Sequence, residues 1–291
     1  MKILVTGATG KLGSLIVEEL LKLVPSNHVA VSVRDPEKAT HLLERGVDVR
    51  YGNFNEYDSL VTAFSGVDRL LMISSDDAIN RKKQHLTAIR AAQAANVRFI
   101  AYTSAPKADV STVEPFNDHR ITEEAIKQSG ITYAILRNNW YIENEVNTFQ
   151  AILNGAPWVI ASSQGKAGWA PRMDYAEAAA RVLTGSGHEN SIYELTGELL
   201  TQEELARLFA EVSKRDVQIK YVEAEEYSHM LSEAGIPDAF VSILVHMQLE
   251  IGRGALEIES SDLRNLLGRQ VTSLKKAVLE ILEEMHEDNH K

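Results

Sequence analysis

The sequence predicts an α/β protein in which a doubly wound parallel sheet is followed by a smaller α+β portion. Two observations support this prediction. Short apolar runs alternate with stretches of helical apolar spacing over the first half of the chain, and this pattern changes after about residue 155. Alternation of this kind is typical of parallel sheets covered by helices. We expect one domain at residues 1–155 and a smaller portion at residues 156–291 that is interleaved with it and covers a substrate.

The first predicted element is a strand that turns at once into a helix. An apolar run at residues 3–5 precedes the stretch TGATGKLG, and apolar residues recur at helical spacing from Leu12 to Leu23 before Pro25. Glycines at a strand-to-helix turn let backbone N–H groups approach a pyrophosphate. A tight loop without a ligand is the alternative, which this order of elements disfavours. The motif therefore predicts a Rossmann-type dinucleotide site formed by Gly7, Ala8, Thr9, Gly10, Lys11, Leu12 and Gly13.

The later apolar runs place further candidates at the same edge of the sheet. They lie at residues 29–33, 47–51, 69–73, 97–103 and 132–136. In doubly wound sheets the ligand lies beyond the carboxyl ends of the strands, so the residues after each run are the candidates. We expect the Asn53 amide and the Phe54 ring to contact adenine. The other candidates along this crevice are small and polar, namely Ser74, Ser75, Asp76 and Thr103, although each type is also common in ordinary loops.

Arg34 bears on the choice between NADPH and NADH. It follows the second predicted strand about 20 residues after the glycine turn, where NAD-binding proteins usually carry an acidic residue. A guanidinium at this place suits a 2′-phosphate through forked hydrogen bonds and charge. Asp35, the next residue, is the competing feature, because its carboxylate suits the ribose 2′-hydroxyl of NADH. The prediction is NADP as cofactor, with NADPH preferred over NADH.

The second half carries weaker signals for secondary structure. Residues 174–177 and 201–204 have the pattern of helix-starting capping boxes, and residues 192–195 and 217–222 have the pattern of strands. We assign these elements to the smaller α+β portion. The acidic tail from Glu280 is expected to fray.

Composition excludes several classes of function. The chain has no cysteine, which excludes disulfides, thiolate metal sites and cysteine nucleophiles. A net charge of -11 argues against a broad nucleic-acid or anionic-membrane surface. No apolar run is long enough to span a bilayer, and the amino terminus enters a strand directly, so we expect a cytoplasmic protein. No heptad pattern stands out, so the sequence does not decide between a monomer and a homodimer.

The chain resembles the NmrA-like group of atypical short-chain dehydrogenases and reductases. The stretches TGATGKLG, RFIAYTSA and SGITYAILRNNWYIEN carry the resemblance, which extends through PRMDYAEAAARVL, YELTGE and GIPD. The resemblance implies an NADPH-dependent reductase of quinones or triphenylmethane dyes. It also implies that a second set of residues lines the cofactor, with Trp140, Tyr141 and Asn144 nearest the nicotinamide. This set is Asn138, Asn139, Trp140, Tyr141, Ile142, Glu143 and Asn144.

The usual proton donor of short-chain dehydrogenases is missing. Their Tyr-x-x-x-Lys pair aligns here with Pro115 and His119. This absence disfavours epimerases and alcohol dehydrogenases, which need a tuned acid or base. His119 is a candidate proton donor because the ordinary histidine pKa lies near neutrality, although a helix cap or a ribose contact is the alternative. Tyr141 and Trp140 are candidates for a stacking wall, with core packing as the alternative.

The leading hypothesis is therefore an NAD(P)H-dependent oxidoreductase that transfers hydride to a quinone-like, flat, conjugated acceptor. A quinone is already electrophilic, so hydride transfer to it depends on position more than on acid catalysis. The alternative is a non-catalytic NADP(H)-binding redox sensor of the NmrA type, which the missing donor pair supports. The stretch HEDNH at residues 286–290 has the spacing of a zinc protease motif, but its polar terminal setting indicates coincidence, and we expect no metal site.

Overall fold

The computed structural model describes residues 1–111, 113, 116–161 and 164–288. Its strands are β1 (Ile3–Thr6), β2 (Val29–Val33), β3 (Asp48–Tyr51), β4 (Arg69–Met72), β5 (Phe99–Ser104), β6 (Thr132–Asn138), β7 (Trp140–Tyr141), β8 (Trp158–Ile160), β9 (Lys166–Ala170), β10 (Ser191–Leu195), β11 (Glu198–Thr201) and β12 (Ile219–Tyr221). Its α-helices are α1 (Lys11–Leu23), α2 (Thr40–Glu44), α3 (Tyr57–Phe64), α4 (Arg81–Ala94), α5 (Asn117–Gln128), α6 (Val146–Leu153), α7 (Arg172–Thr184), α8 (Gln202–Ser213), α9 (Ala224–Glu233), α10 (Asp238–Gly252), α11 (Asp262–Leu267) and α12 (Leu274–Asp288).

The chain divides into two compact units made of alternating segments. The first unit comprises Met1–Asn138, Met173–Leu195 and Asp262–Arg269, and the second comprises Asn139–Arg172, Thr196–Ser261 and the chain from Gln270 onward. The chain thus passes back and forth between the units. The sequence-based division into a dinucleotide-binding domain at residues 1–155 and an interleaved, substrate-covering portion at residues 156–291 stays a prediction.

The first unit contains a seven-stranded parallel sheet in the order β10-β6-β5-β4-β1-β2-β3. The central strand β1 is buried along its whole length, as expected for a parallel strand covered on both faces. Helices α3, α4 and α5 contribute Phe64, Ala88 and Ile126 to a buried cluster with Ile100 of β5. The predicted doubly wound sheet is confirmed. The strand order reverses between β1 and β4, and a ligand crevice is expected at this switch point.

Two elements predicted for the smaller portion belong to this sheet unit instead. Strand β10 pairs in parallel with β6, and α7 begins at Arg172, two residues before the predicted start. Together they form one more α/β step after β6, which adds the seventh strand of the sheet. The sequence pattern grouped them with the second half of the chain because the 34-residue segment Asn139–Arg172 separates this step from the earlier ones in the sequence.

The second unit has two small sheets and five helices among the described residues. One sheet has the order β11-β9-β7 and the other pairs β12 with β8. Phe149 and Phe209 stack at 4.5 Å in its core, next to Trp158. The capping box predicted at Thr201 is confirmed, because its hydroxyl accepts from the Glu204 N–H and the Glu204 carboxylate accepts from the Thr201 N–H. Helix α12 continues past Glu280 to Asp288, and the fraying expected for the acidic tail stays a prediction.

Candidate functional site

The glycine turn forms a backbone cradle at the start of α1. Gly7 has a φ of +62°, a conformation that favours glycine. A Cβ on Gly13 would lie 2.1 Å from the Gly7 carbonyl oxygen, so only glycine lets the helix approach the turn this closely. Gly10 is the N-cap, and neither a capping side chain nor an acidic residue occupies the first turn. The first N–H groups of α1 are therefore available to an anion.

The cradle opens into a cavity of about 430 Å³ in the first unit. This cavity lies where β1, β2, β3 and β4 end, as predicted for the crevice. Ala8 is buried beneath it, and Thr103 also lies outside its lining. The predicted residues that line the cavity are Gly7, Thr9, Gly10, Lys11, Leu12, Gly13, Arg34, Asn53, Phe54, Ser74, Ser75 and Asp76. The lining residues that sequence reasoning missed are Thr6, Ser32, Val33, Gly52, Asn55, Ile73 and Gln84.

Arg34 and Asp35 differ in how they are engaged. Arg34 is exposed at the cavity and forms no ion pair with any residue that the structure describes. The Asp35 carboxylate accepts from the Glu37 N–H at 3.2 Å and lies 4.0 Å from the Lys38 ammonium. It thereby caps a short helical turn at Pro36–Ala39 and does not line the cavity. The guanidinium is thus free for an anionic ligand, whereas the competing carboxylate is occupied.

Three successive backbone N–H groups after β4 are each held by a side chain from a different element. Ile73 donates to Thr6 at 3.0 Å, Ser74 donates to Thr103 at 2.9 Å, and Ser75 donates to the His85 Nε2 at 3.0 Å. Thr103 therefore fixes the loop that borders the cavity. Preorganised loops of this kind present a fixed surface to a ligand.

The Asn53 amide is engaged within its own loop. Its Nδ2 donates to Glu56 at 2.8 Å, and its Oδ1 accepts from the Asn55 N–H at 3.0 Å. The Phe54 ring meets the His85 ring edge-on at 6.3 Å between centroids. The expected contacts of both residues with adenine stay predictions.

Gln84 and His85 are the main polar residues that the sequence interpretation missed. The Ser75 hydroxyl donates to the side-chain amide oxygen of Gln84 at 2.5 Å. The side chains of Gln84 and His85 are both buried on α4. They precede Ala88 and Ile89 by four residues, so they occupy the face of α4 that packs inward. The sequence signal for Gln84 and His85 is that these polar residues stand at positions where the helical pattern expects apolar ones.

His119 lies on α5 against the buried strand β5. Its Nδ1 is 2.8 Å from the Tyr102 hydroxyl. Burial lowers the pKa of His119 to about 3, with a smaller contribution from the Arg81 guanidinium, and the pKa of His85 falls to about 3 for the same reasons. Both imidazoles are therefore neutral at pH 7. His119 was a candidate proton donor because the ordinary histidine pKa lies near neutrality, and this reason no longer applies. Its chemical role stays a prediction. Pro115 lies outside the described residues.

In the second unit, the stretch after β6 is shaped by several internal contacts. The Asn139 amide donates to the Leu256 carbonyl oxygen at 3.0 Å and accepts from the Gly168 N–H at 3.3 Å. The Glu143 carboxylate accepts from the Arg172 N–H at 2.8 Å, and the Arg172 guanidinium lies 5.1 Å from the centre of the Tyr141 ring. These contacts fix the backbone on both sides of Tyr141.

The remaining residues of this stretch differ in exposure. Ile142 is fully buried, whereas Trp140 and Tyr141 are partly exposed. The Trp140 indole donates to the Glu145 carboxylate at 3.3 Å. Asn144 contacts the Arg172 guanidinium at 3.5 Å, and Asn138, which ends β6, is buried in the first unit. The predicted roles of all these residues stay predictions.

Neither a metal site nor a membrane span is found in the described part of the chain. No group of three or more His, Asp or Glu side chains there could hold a metal ion. His286 and Glu287 lie near the end of α12, and His290 lies outside the described residues. No helix in the described residues is long and apolar enough to cross a membrane.

Comparisons with known proteins bear on the whole chain. It is 38% identical to quinone oxidoreductase 2 of Escherichia coli over 95% of this chain and 97% of that one. Its structure matches Citrobacter sp. triphenylmethane reductase with a TM-score of 0.93 at 38% identity, covering 97% of this chain and 100% of that one. It also matches the NADPH-dependent quinone oxidoreductase of Escherichia coli complexed with NADPH, with a TM-score of 0.93 at 37% identity over 96% and 99% of the two chains. The model of the NmrA-like family matches residues 1–274, and the chain therefore belongs to the NmrA-like family.

Proposed function

We propose that this protein is an NADPH-dependent reductase of quinones or similar flat, conjugated acceptors such as triphenylmethane dyes. One observation carries the proposal: the glycine cradle and the unpaired Arg34 guanidinium open into the same cavity. The similarity to quinone oxidoreductase 2 and to triphenylmethane reductase supports the acceptor class.

The residues of the cavity fit NADPH. The uncapped N-terminus of α1 binds the pyrophosphate through backbone N–H groups, and the glycines leave room for its oxygens. Arg34 binds the 2′-phosphate by charge and forked hydrogen bonds. Because Asp35 caps its own turn, it does not compete for the ribose. When bound, NADPH supplies the hydride that reduces the acceptor.

The protein contributes position to the reaction. A quinone that gains a hydride and a proton becomes an aromatic hydroquinone, so the acceptor itself provides much of the driving force. Water supplies the proton, since neutral His119 is a weak acid. Trp140 and Tyr141 are proposed to stack against a flat acceptor, as the family resemblance suggests.

The first experiment measures steady-state oxidation of NADPH and of NADH against a benzoquinone, a naphthoquinone and a triphenylmethane dye. Turnover with a preference for NADPH supports the reductase. Tight NADPH binding without turnover on any acceptor contradicts it and favours a redox sensor.

A second experiment tests Arg34. We expect Arg34→Ala to raise the dissociation constant for NADPH by about 10- to 100-fold, because hydrogen bonds to a charged group contribute about 1.5–3 kcal/mol. The constant for NADH should change less than about threefold. Arg98→Ala, an exposed arginine outside the cavity lining, is the matched control. Equal losses for both cofactors contradict the assignment of Arg34.

A further inference from the structure

A chain of hydrogen bonds runs from the cavity loop into the buried interior of the first unit. It begins at the Ser75 N–H, which donates to the His85 Nε2 at 3.0 Å. A backbone N–H can only donate, so Nε2 of His85 is an acceptor without a hydrogen. Because His85 is neutral, its single ring hydrogen is on Nδ1.

The Nδ1–H of His85 is directed to Thr122. The two atoms are 2.9 Å apart, and the Thr122 hydroxyl gives its own hydrogen to the Asp118 carbonyl oxygen at 2.6 Å. The Tyr102 hydroxyl lies 3.4 Å from the same Nδ1, which already carries a hydrogen. Tyr102 therefore cannot donate to His85.

Nδ1 of His119, at 2.8 Å, is the remaining imidazole acceptor for the Tyr102 hydroxyl. Tyr102 is fully buried, and burial raises its pKa, so the phenol keeps its hydrogen. No described residue forms a hydrogen bond to Nε2 of His119.

We infer that Tyr102 is a positioning residue that donates to Nδ1 of His119 and thereby holds the hydrogen of the neutral imidazole on Nε2. His119 is partly exposed, so its Nε2–H is open to a ligand, and on the proposed function that ligand is the carbonyl oxygen of the acceptor. The inference deepens the proposed function and rests on it for the identity of the acceptor. The tautomer itself depends only on the residues of the first unit.

Two features of the surroundings favour a neutral donor over an imidazolium. The Arg81 guanidinium, which donates to the Ser75 carbonyl oxygen at 2.8 Å, carries a positive charge that opposes a second one on His119. The Phe116 ring packs edge-on against His119 at 6.3 Å and adds no polar partner. A fixed neutral N–H stabilises a developing oxyanion without a proton transfer.

The experiment reads the tautomer directly. Long-range proton–nitrogen NMR of the ¹⁵N-histidine-labelled protein at pH 7 distinguishes the two nitrogens of each ring, and His119→Gln assigns the signal of His119. We expect the hydrogen on Nε2 in the wild type. A wild-type spectrum in which the assigned His119 ring carries its hydrogen on Nδ1, or has both nitrogens protonated, overturns the inference without any measurement on Tyr102→Phe.

Tyr102→Phe supplies the second measurement. We expect a mixture of tautomers in this variant and a kcat with a naphthoquinone that is lowered about 3- to 10-fold, with little change in KM for NADPH. Tyr133→Phe, a partly buried tyrosine outside the network, is the matched control and should leave both unchanged. An unchanged tautomer or an unchanged kcat in Tyr102→Phe overturns the positioning role. If the wild type reduces no acceptor, the proposed function fails while the NMR result still decides the tautomer.

Discussion

Strand β5 and helix α5 meet at two polar pairs, one part-buried and one fully buried, and the two pairs differ in charge. Tyr102 and Ser104 lie two residues apart on β5, and His119 and Glu123 lie four residues apart on α5, so each element presents both members on one face. Tyr102 meets His119 as a neutral pair. Ser104 meets Glu123, which is 1% exposed, as part of an ionic network.

The ionic network is held together by Arg137. Its guanidinium donates to the Glu123 carboxylate at 2.9 and 2.6 Å and to Glu194 at 2.8 Å, and it lies 2.9 Å from Asp109. Burial alone would lower the pKa of Arg137, but the hydrogen bonds to Glu123 and Glu194 outweigh burial and raise it. Arginine cannot become neutral at accessible pH, so a buried arginine must be paired, whereas His85 and His119 are held neutral instead.

The largest expected effect comes from breaking the ionic pair. We expect Arg137→Met to lower the free energy of unfolding by about 3–5 kcal/mol, because the buried Glu123 loses its two hydrogen bonds from the guanidinium and keeps only Ser104 and the Lys127 ammonium at 3.7 Å. Urea unfolding measures the change. The double variant Glu123→Gln with Arg137→Met should recover part of the loss, and Arg98→Met, at an arginine that is 83% exposed, should change stability by less than about 0.5 kcal/mol. A loss in Arg137→Met as small as that control would show that the ionic network contributes little.

The neutral pair should be less costly to break. Tyr102→Phe removes one hydrogen bond between uncharged groups, so we expect a loss of about 1–2 kcal/mol in the same urea experiment. Tyr133→Phe should be close to neutral. If Tyr102→Phe costs as much as Arg137→Met, the neutral network is as essential to folding as the ionic one, and the contrast fails.

The pH dependence of stability separates the two networks further. His85 and His119 have pKa values of about 3 in the folded protein and an ordinary value of 6.5 when unfolded. The unfolded chain therefore binds more protons below pH 6.5, and stability falls as the pH decreases toward 3. His119→Gln removes one of these groups. Between pH 6 and pH 4 the wild type should therefore lose about 1 kcal/mol of stability per pH unit relative to this variant. His28→Gln, at an exposed histidine, is the control. A difference that does not vary with pH means that His119 is not held neutral.

The sheet was predictable from sequence because its strands are short apolar runs bounded by turns. The runs at residues 29–33 and 69–73 correspond closely to β2 and β4. Strand β10 and helix α7 were recognised as elements, but the sequence pattern did not reveal that they join the large sheet. Local periodicity determines the type of an element, but long-range pairing determines its place in a sheet.

The candidate site was predictable where glycine geometry or a single charge defines it, as for Gly7, Gly13 and Arg34. His119 was found by alignment with the family, but its neutral state depends on burial against Tyr102 and on the nearby Arg81, which are far from it in sequence. His85 was missed for a related reason. It lies in an ordinary helix, and its hydrogen bonds to Ser75 and Thr122 exist only in the folded chain.

The smallest expected effect concerns turnover, and it tests whether the neutral pair serves chemistry through position. If His119 only donates a hydrogen bond while water supplies the proton, His119→Ala should lower kcat for quinone reduction less than about tenfold, which corresponds to about 1.4 kcal/mol in the barrier. His28→Ala should leave kcat unchanged. A loss of about 10²-fold or more would identify His119 as the proton donor, which requires an imidazolium in the reacting complex and contradicts a neutral network. A small loss instead agrees with the contrast along β5 and α5, in which the charged pair stabilises the fold and the neutral pair orients a reacting group.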